Sequence, residues 1–173
     1  MKFPFTLVAA AFLLAPALAG ATDVTTSMEV TASVLNSCSV TATTMAFGAY
    51  DQAAAAATAG TATLSVTCTL GTDASIRLGQ GLYAESGSTD AVPLRRLNAA
   101  RAPLSGSPNT AFLNYFLWHE VGHTTVWGNN LATGTPFTAT AGPDVFTVFG
   151  TITELQAVPS GDYRDTVLVS VDF

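Results

Sequence analysis

Both histidines of the 173-residue chain stand in one short motif, His119-Glu120-Val121-Gly122-His123. On a helix, positions i and i+4 of such a motif place two imidazoles on one face, where they can hold Zn²⁺ while the glutamate acts as a general base. A zinc-dependent hydrolase that uses His119, Glu120 and His123 is therefore the enzymatic function that the sequence raises.

The residues around this motif favour a turn over a helix. The preceding run Phe112–Trp118 is aromatic and extended in character, and Thr124–Trp127 follows the motif directly. On a strand, four residues span about 13 Å, which is too far for two nitrogens on one tetrahedral ion. Gly122 also suits a turn better than a helix. We therefore predict an exposed hairpin tip, with no catalytic residue, no bound metal and no cofactor.

The first nineteen residues have the organisation of a secretory signal peptide. Lys2 precedes an apolar run that is too short to span a bilayer, and small residues at 17, 19 and 21 predict cleavage after residue 19 or 21. No later stretch is long and apolar enough to anchor in a membrane. We expect an exported chain without a membrane span.

Cys38 and Cys68 are the two cysteines of the chain. An even number of cysteines in an exported protein predicts one disulfide, and two free buried thiols are the alternative. A metal site at these two cysteines is the least favoured interpretation, because the chain has no other thiol to complete it.

The composition points to a folded, strand-rich domain. Apolar residues make up 49 % of the chain and charged residues 10 %, which excludes a disordered acidic tail or a coiled coil. The formal net charge of −6 argues against binding to nucleic acid. Leu82–Asn109, with three arginines, is expected to be a solvated surface loop, and Ala53–Ala57 a loop with at most one helical turn. The recurring strand signals predict an all-β sandwich; the candidate strands are Val24–Val34, Ser39–Thr43, Ala62–Thr69, Ser75–Leu78, Phe112–Trp118, Thr124–Trp127, Phe137–Thr140, Val145–Ile152 and Tyr163–Phe173.

The first candidate strand lies close to the expected mature terminus, where chains usually fray. Its even positions are mostly apolar and its odd positions polar, which is the period of a strand with one buried face. It is either the first strand of its own domain or a strand that another molecule's groove receives. The inward positions are Val24, Thr26, Met28, Val30, Ala32 and Val34.

Six segments, in this order, resemble the spore coat protein U domain, the subunit family of archaic chaperone–usher pili. The segments are Asn36-Ser37-Cys38-Ser39-Val40, Met45-Ala46-Phe47-Gly48-Ala49-Tyr50-Asp51, Leu64-Ser65-Val66-Thr67-Cys68-Thr69, Leu113-Asn114-Tyr115, Thr124-Thr125-Val126-Trp127-Gly128 and Gly161-Asp162-Tyr163-Arg164-Asp165-Thr166-Val167. The resemblance covers essentially the whole mature chain.

The resemblance implies an incomplete immunoglobulin-like, pilin-type β-sandwich that lacks one strand. In such families a periplasmic chaperone lends a strand, and at the outer-membrane usher the amino-terminal extension of the next subunit replaces it. On this basis residues 22–35 are the donor-strand extension and residues 36–173 the pilin-like domain, bridged by Cys38 and Cys68. The carboxy-terminal strand should line the core beside the groove through Val167, Val169, Val171 and Phe173.

The sequence therefore predicts a structural subunit of an extracellular fibre, not an enzyme, joined to other copies or related subunits by strand donation. A secreted spore-coat or matrix protein, in which the first strand closes its own sandwich, is the alternative within the same family. The zinc-dependent hydrolase is the alternative from another class.

Overall fold

The computed structural model describes residues 20, 22–99 and 111–173. The chain divides into a short unit, Met1–Ser33, and a larger one, Val34–Phe173. The predicted signal peptide, residues 1–19, lies outside the described residues. In the described part of the short unit no helix or strand is assigned, and Val24, Met28 and Val30 are between 80 % and 95 % exposed.

The larger unit consists of strands and connecting loops, with no helix among the described residues, so none there could cross a membrane. The predicted all-β fold is confirmed. The strands are β1 (Cys38–Ala42), β2 (Thr58–Cys68), β3 (Asp73–Leu78), β4 (Arg95–Ala99), β5 (Phe112–Trp118), β6 (Thr135–Thr138), β7 (Asp144–Ile152), β8 (Tyr163–Arg164) and β9 (Val169–Asp172).

The strands form two antiparallel sheets. The six-stranded sheet has the order β1-β2-β7-β5-β4-β8, and the three-stranded sheet has the order β6-β3-β9. Strands β1 and β9, at the two ends of the folded chain, are therefore both edge strands. Each pairs with one neighbour, β1 with β2 and β9 with β3.

The core lies between the facing sides of the two sheets. Alternation along β2 and β3 turns every second side chain inward, so that Leu64 and Val66 meet Ile76 and Leu78. These four side chains are at most 2 % exposed. At roughly 1.5–3 kcal/mol for each fully buried aliphatic side chain, this layer is a main source of stability.

One strand lies where the sequence predicts a surface loop. Strand β4 falls within Leu82–Asn109, and Arg95 at its start is 1 % exposed. The expectation of a solvated loop is wrong for this strand. The strand forms because β5 and β8 supply partners on both of its sides, which is a tertiary effect that local composition does not reveal.

Other differences concern strand ends and pairing. The predicted strand Thr124–Trp127 is reduced to one isolated bridge between Trp118 and Val126. Tyr163–Phe173 is divided into β8 and β9. Val24–Val34 has the alternation of a strand but is not assigned as one, since an isolated extended segment has no ladder partner to hold it.

Candidate binding groove

On one side of the sandwich, β1 of the large sheet and β9 of the small sheet approach each other without pairing. The backbone carbonyls of Thr166 and Leu168 accept hydrogen bonds from the N–H groups of Leu82 and Gly79. These bonds face the side of the carboxy-terminal segment on which β3 lies. Because backbone direction alternates along an extended chain, the polar groups of Val167 and Val169 point to the opposite, open edge. Such an edge can accept another strand.

Inward positions on both edge strands are poorly covered. Cys38, Val40 and Ala42 share the inner side of β1, yet Ala42 is exposed although its ladder partner Leu64 is 2 % exposed. All four residues of β9 are only half-buried. The inward faces of β1 and β9 are thus covered less completely than those of the inner strands.

Two adjoining cavities occupy this opening. The first, of about 300 Å³, is lined mainly by apolar side chains, and Asp165 is its only charged lining residue among those described. The second, of about 920 Å³, continues along residues 44–52 on one wall and 158–165 on the other. Both are lined by Thr44, Met45, Phe47, Leu97 and Asp165. Together they form one groove, which we call the β1–β9 groove.

A disulfide fixes the β1 wall of this groove. Cys38 and Cys68 are direct ladder partners, and their sulfurs are bonded, so the predicted disulfide is confirmed. Next to it, the Ser37 N–H donates to Thr69 Oγ1 and the Thr69 N–H donates to the Ser37 carbonyl. The edge strand is thereby held to β2 independently of any partner on its other side.

The chain that follows β1 packs against a pair of glycines. Gly60 and Gly150 face each other across β2 and β7, and a Cβ on Gly150 would overlap the side chains of Met45 and Phe47. Phe47 also meets the ring of Tyr115 edge-on, with centroids 6.0 Å apart. The paired glycines thus make room for Met45 and Phe47, which belong to the wall formed by residues 44–52.

A buried polar cluster adjoins the apolar floor of the groove. Tyr115 donates its hydroxyl hydrogen bond to Asp165 Oδ2 at 2.6 Å, and burial raises the pKa of Tyr115, which keeps this donor protonated. Arg95, the ladder partner of Tyr115, donates to the carbonyls of Leu78, Gly79 and Trp127 at 2.8 Å each. Desolvation lowers the pKa of Arg95 to about 10, so it stays charged at neutral pH.

The carboxy-terminal residues singled out from the sequence lie at different distances from this groove. Val167 and Val169 line the first cavity, and Val171 is half-buried against the core. Phe173 is 57 % exposed and is not among the lining residues. The amino-terminal residues Val24–Val34 are exposed, and their role as a donor stays a prediction.

The His-Glu-x-x-His motif lies in a turn after β5. Each ring nitrogen of His119 has a partner, Nε2 the Thr133 carbonyl at 3.1 Å and Nδ1 the Thr135 hydroxyl at 2.8 Å. Its ring stacks on Trp127 with centroids 4.6 Å apart.

Glu120, within the same turn, caps the backbone. Its carboxylate accepts from the N–H groups of Thr124 and Thr125 and from the Thr124 hydroxyl. These bonds, the hydroxyl first, lower the pKa of Glu120 to about 2. In the part of the chain that the structure describes, no three His, Cys, Asp or Glu side chains are grouped to hold a metal ion.

Sequence reasoning did not single out Arg95, Tyr115 or Asp165 as a cluster. Tyr115 and Asp165 do lie in two of the segments that carry the family resemblance, which was the available signal. Arg95 gave no such signal, because arginine is rarely fully buried and its carbonyl partners come from three separate positions.

The chain matches known proteins over nearly its full length. A family model of the Spore Coat Protein U domain matches residues 24–170. Protein U of Myxococcus xanthus is 42 % identical over 174 residues, covering 95 % of this chain and 93 % of that protein.

A solved structure has a similar fold. It is the CsuC–CsuE chaperone–tip adhesion subunit pre-assembly complex from archaic chaperone–usher Csu pili of Acinetobacter baumannii, one chain of which matches with a TM-score of 0.54 and 19 % identity. The match covers 81 % of this chain but 40 % of that one.

Proposed function

The chain belongs to the spore coat protein U domain family, and from that premise we propose that it is a structural subunit of an extracellular chaperone–usher fibre, built by donor-strand exchange. In this function Val24–Val34 of one copy fills the β1–β9 groove of the next. The observation that carries the proposal is the groove itself, whose inward residues Ala42, Val167 and Val169 lack a covering strand.

The donor segment has the pattern that such a groove requires. A strand inserted between β1 and β9 finds unpaired backbone groups on both walls and an apolar floor below. Val24, Met28, Val30 and Val34 are its large inward side chains. Burying four such side chains contributes roughly 6–12 kcal/mol before the segment's ordering cost is subtracted.

A periplasmic chaperone is the partner that would cover the groove before assembly. The solved relative is a chaperone–subunit pre-assembly complex, which supports this partner class. An outer-membrane usher would then catalyse the exchange at the cell surface, and the product would be an adhesive or biofilm fibre. The disulfide that holds β1 and the predicted signal peptide are both consistent with assembly outside the cytoplasm.

A structural role also fits the only enzyme-like motif of the sequence. Both nitrogens of His119 already have hydrogen-bond partners, and the Glu120 carboxylate caps three donors of its own turn. These groups stabilise the hairpin after β5. We propose that the chain is not an enzyme.

The proposal is tested by placing the same charge on the two faces of the donor segment. Met28→Asp and Val30→Asp add a carboxylate to the inward face, and Ser27→Asp and Thr31→Asp add one to the outward face. We expect the inward variants to stop polymerisation of the mature chain while chaperone capture persists, because the chaperone brings its own strand. The outward variants should polymerise as the wild type does, as judged by size-exclusion chromatography and electron microscopy.

The same four variants also test the alternative function within the family, a self-closed coat or matrix protein. A self-closed coat or matrix protein would be monomeric, heat-tolerant and indifferent to all four substitutions in its state of assembly. The match to Protein U extends over almost the whole of both chains, which is the reason to test this alternative.

A further inference from the structure

Asp165 has one hydrogen-bond acceptor position left over at the groove. Its Oδ1 accepts from the N–H groups of Leu82 and Thr166, both at 2.8 Å, and its Oδ2 accepts from Tyr115. A carboxylate offers about four acceptor positions, so these three bonds leave one on Oδ2. Asp165 lines both cavities of the groove, so a strand that filled both cavities would contact it.

The position of this carboxylate is fixed by its surroundings. Gly81 lies so close that a Cβ there would overlap Asp165 Oδ2, and with a φ of 85° it occupies the left-handed region. Arg95 and Tyr115 lie beside it, so its charge is partly compensated within the fold. A strand that covered Asp165 with apolar atoms alone would bury this carboxylate with its fourth acceptor position unfilled, which is unfavourable.

The proposed donor segment carries one polar side chain on its inward face. Of the six inward positions of Val24–Val34, five are aliphatic or Met, and the remaining one is Thr26. A threonine hydroxyl placed in an apolar groove also needs a partner. Thr26 is therefore the inward side chain that can fill the remaining acceptor position of Asp165, the one charged residue among those lining the first cavity.

We propose that Thr26 of the incoming segment donates a hydrogen bond to Asp165 Oδ2 of the receiving copy and thereby sets the register of donation. This inference rests on the proposed function. Thr26 then acts as a specificity-determining residue, with Val24 and Met28 entering the apolar parts of the groove on either side of Asp165.

The pairing discriminates strongly between registers. A slip of one residue turns the apolar face outward. A slip of two residues keeps the correct face inward, but it places Val24 or Met28 on the carboxylate and Thr26 among apolar side chains. The Thr26 hydroxyl then has no acceptor from Asp165, and the carboxylate keeps only its three bonds within the fold. A two-residue slip is therefore penalised even though the apolar pattern alone would tolerate it.

The experiment uses fibres of the full mature chain and measures their rate of dissociation in denaturant. Thr26→Val removes the hydroxyl at almost constant shape, and we expect dissociation to accelerate roughly 10-fold or more. Thr26→Ser keeps the hydroxyl and should stay within about 3-fold of the wild type. Thr31→Val makes the same substitution on the outward face and should change nothing.

The pairing with Asp165 is tested by a double-mutant cycle. In an Asp165→Ala background, adding Thr26→Val should have at most a roughly 2-fold effect, because the side chain that accepts from Thr26 is already absent. If Asp165→Ala fails to fold, the comparison of Thr26→Val, Thr26→Ser and Thr31→Val decides alone.

Failure of this inference is distinguishable from failure of the proposed function. If Thr26→Val fibres dissociate at the wild-type rate, or if Thr31→Val has the same effect, the register assignment is wrong. The strand donation itself then still stands, provided that Met28→Asp abolishes assembly. If Met28→Asp assembles normally, both proposals fall.

Discussion

Arg95 joins three parts of the structure through one guanidinium. Its side chain starts on β4 and donates to the last residue of β3, to the glycine after it and to Trp127. Without these bonds, three carbonyls would be buried at the end of the small sheet with no partner. A rigid fork with several donors is suited to this arrangement, whereas a lysine ammonium is not.

Replacing Arg95 by methionine should be strongly destabilising. Each carbonyl left without a partner costs about 1–3 kcal/mol, so we expect the free energy of unfolding to fall by about 3 kcal/mol or more. Arg95→Lys should recover only part of this loss. Urea denaturation measures both, with Arg164→Met at an exposed position as the control that should stay within about 0.5 kcal/mol of the wild type. A loss below 1 kcal/mol for Arg95→Met would contradict the assignment.

Glu120 makes the hairpin after β5 sensitive to acid. Its pKa is about 2 in the folded chain, below the ordinary value of 4.5, because Thr124 and Thr125 donate to the charged form. The stabilisation is therefore complete above pH 4.5 and is lost as the pH falls toward 2. The amide NMR signals of Thr124 and Thr125 should titrate with a midpoint near 2, and Glu120→Gln should abolish this transition. A midpoint near 4.5 would show that the carboxylate does not cap the turn.

At the scale of single residues, the sequence was informative where chemistry is local. It predicted the disulfide from a count of cysteines, and a turn around Gly122 from the strands on either side. It did not predict the Arg95–Tyr115–Asp165 cluster, since residues 95, 115 and 165 meet only after three strands have paired. A buried arginine also runs against the usual preference of this residue for the surface.

At the scale of elements, the edge strand β1 is short and is held mainly by what surrounds it. It has five residues, one ladder partner strand and one disulfide at its first residue. An edge strand beside an open groove would otherwise separate easily from its sheet. The disulfide therefore keeps the groove's wall in place while the groove is empty.

Removing the disulfide should destabilise both the domain and its groove. Closing a loop of 30 residues is worth roughly 3–4 kcal/mol, so the double variant Cys38→Ala with Cys68→Ala should lose about 10 °C in Tm. Reduction of the wild type with dithiothreitol is the control that separates loss of the bond from loss of the side chains. If Tm stays within about 2 °C in both cases, the disulfide does not hold this wall.

The elements that could be predicted are those with their own sequence pattern. Strands β2, β5 and β7 alternate clearly and are bounded by turn residues, and the sequence located each of them. Strand β4 has polar residues at three of its five positions, and it is a strand because β5 and β8 pair with it. Val24–Val34 shows the reverse case, because it has the sequence pattern of a strand but pairs with no strand among the described residues.

At the scale of the whole molecule, strand donation would make each copy both a donor and an acceptor. The proposed donor segment and the β1–β9 groove are different surfaces, so the proposed contact between copies would be heterologous and would propagate in one direction. We therefore predict that two variants, one without a working donor segment and one without a working groove, bind each other to form a heterodimer that cannot grow further.

The most direct test mixes two such variants of the mature chain. Met28→Asp disables the donor segment, and Ala42→Trp fills the groove from an exposed position on β1. Thr41→Trp, on the outward side of the same strand, is the matched control and should polymerise normally. Neither disabled variant should form fibres alone, and their mixture should give a one-to-one heterodimer and nothing larger by mass measurement in solution. A mixture that remains monomeric, or a disabled variant that forms fibres by itself, would contradict strand donation between copies.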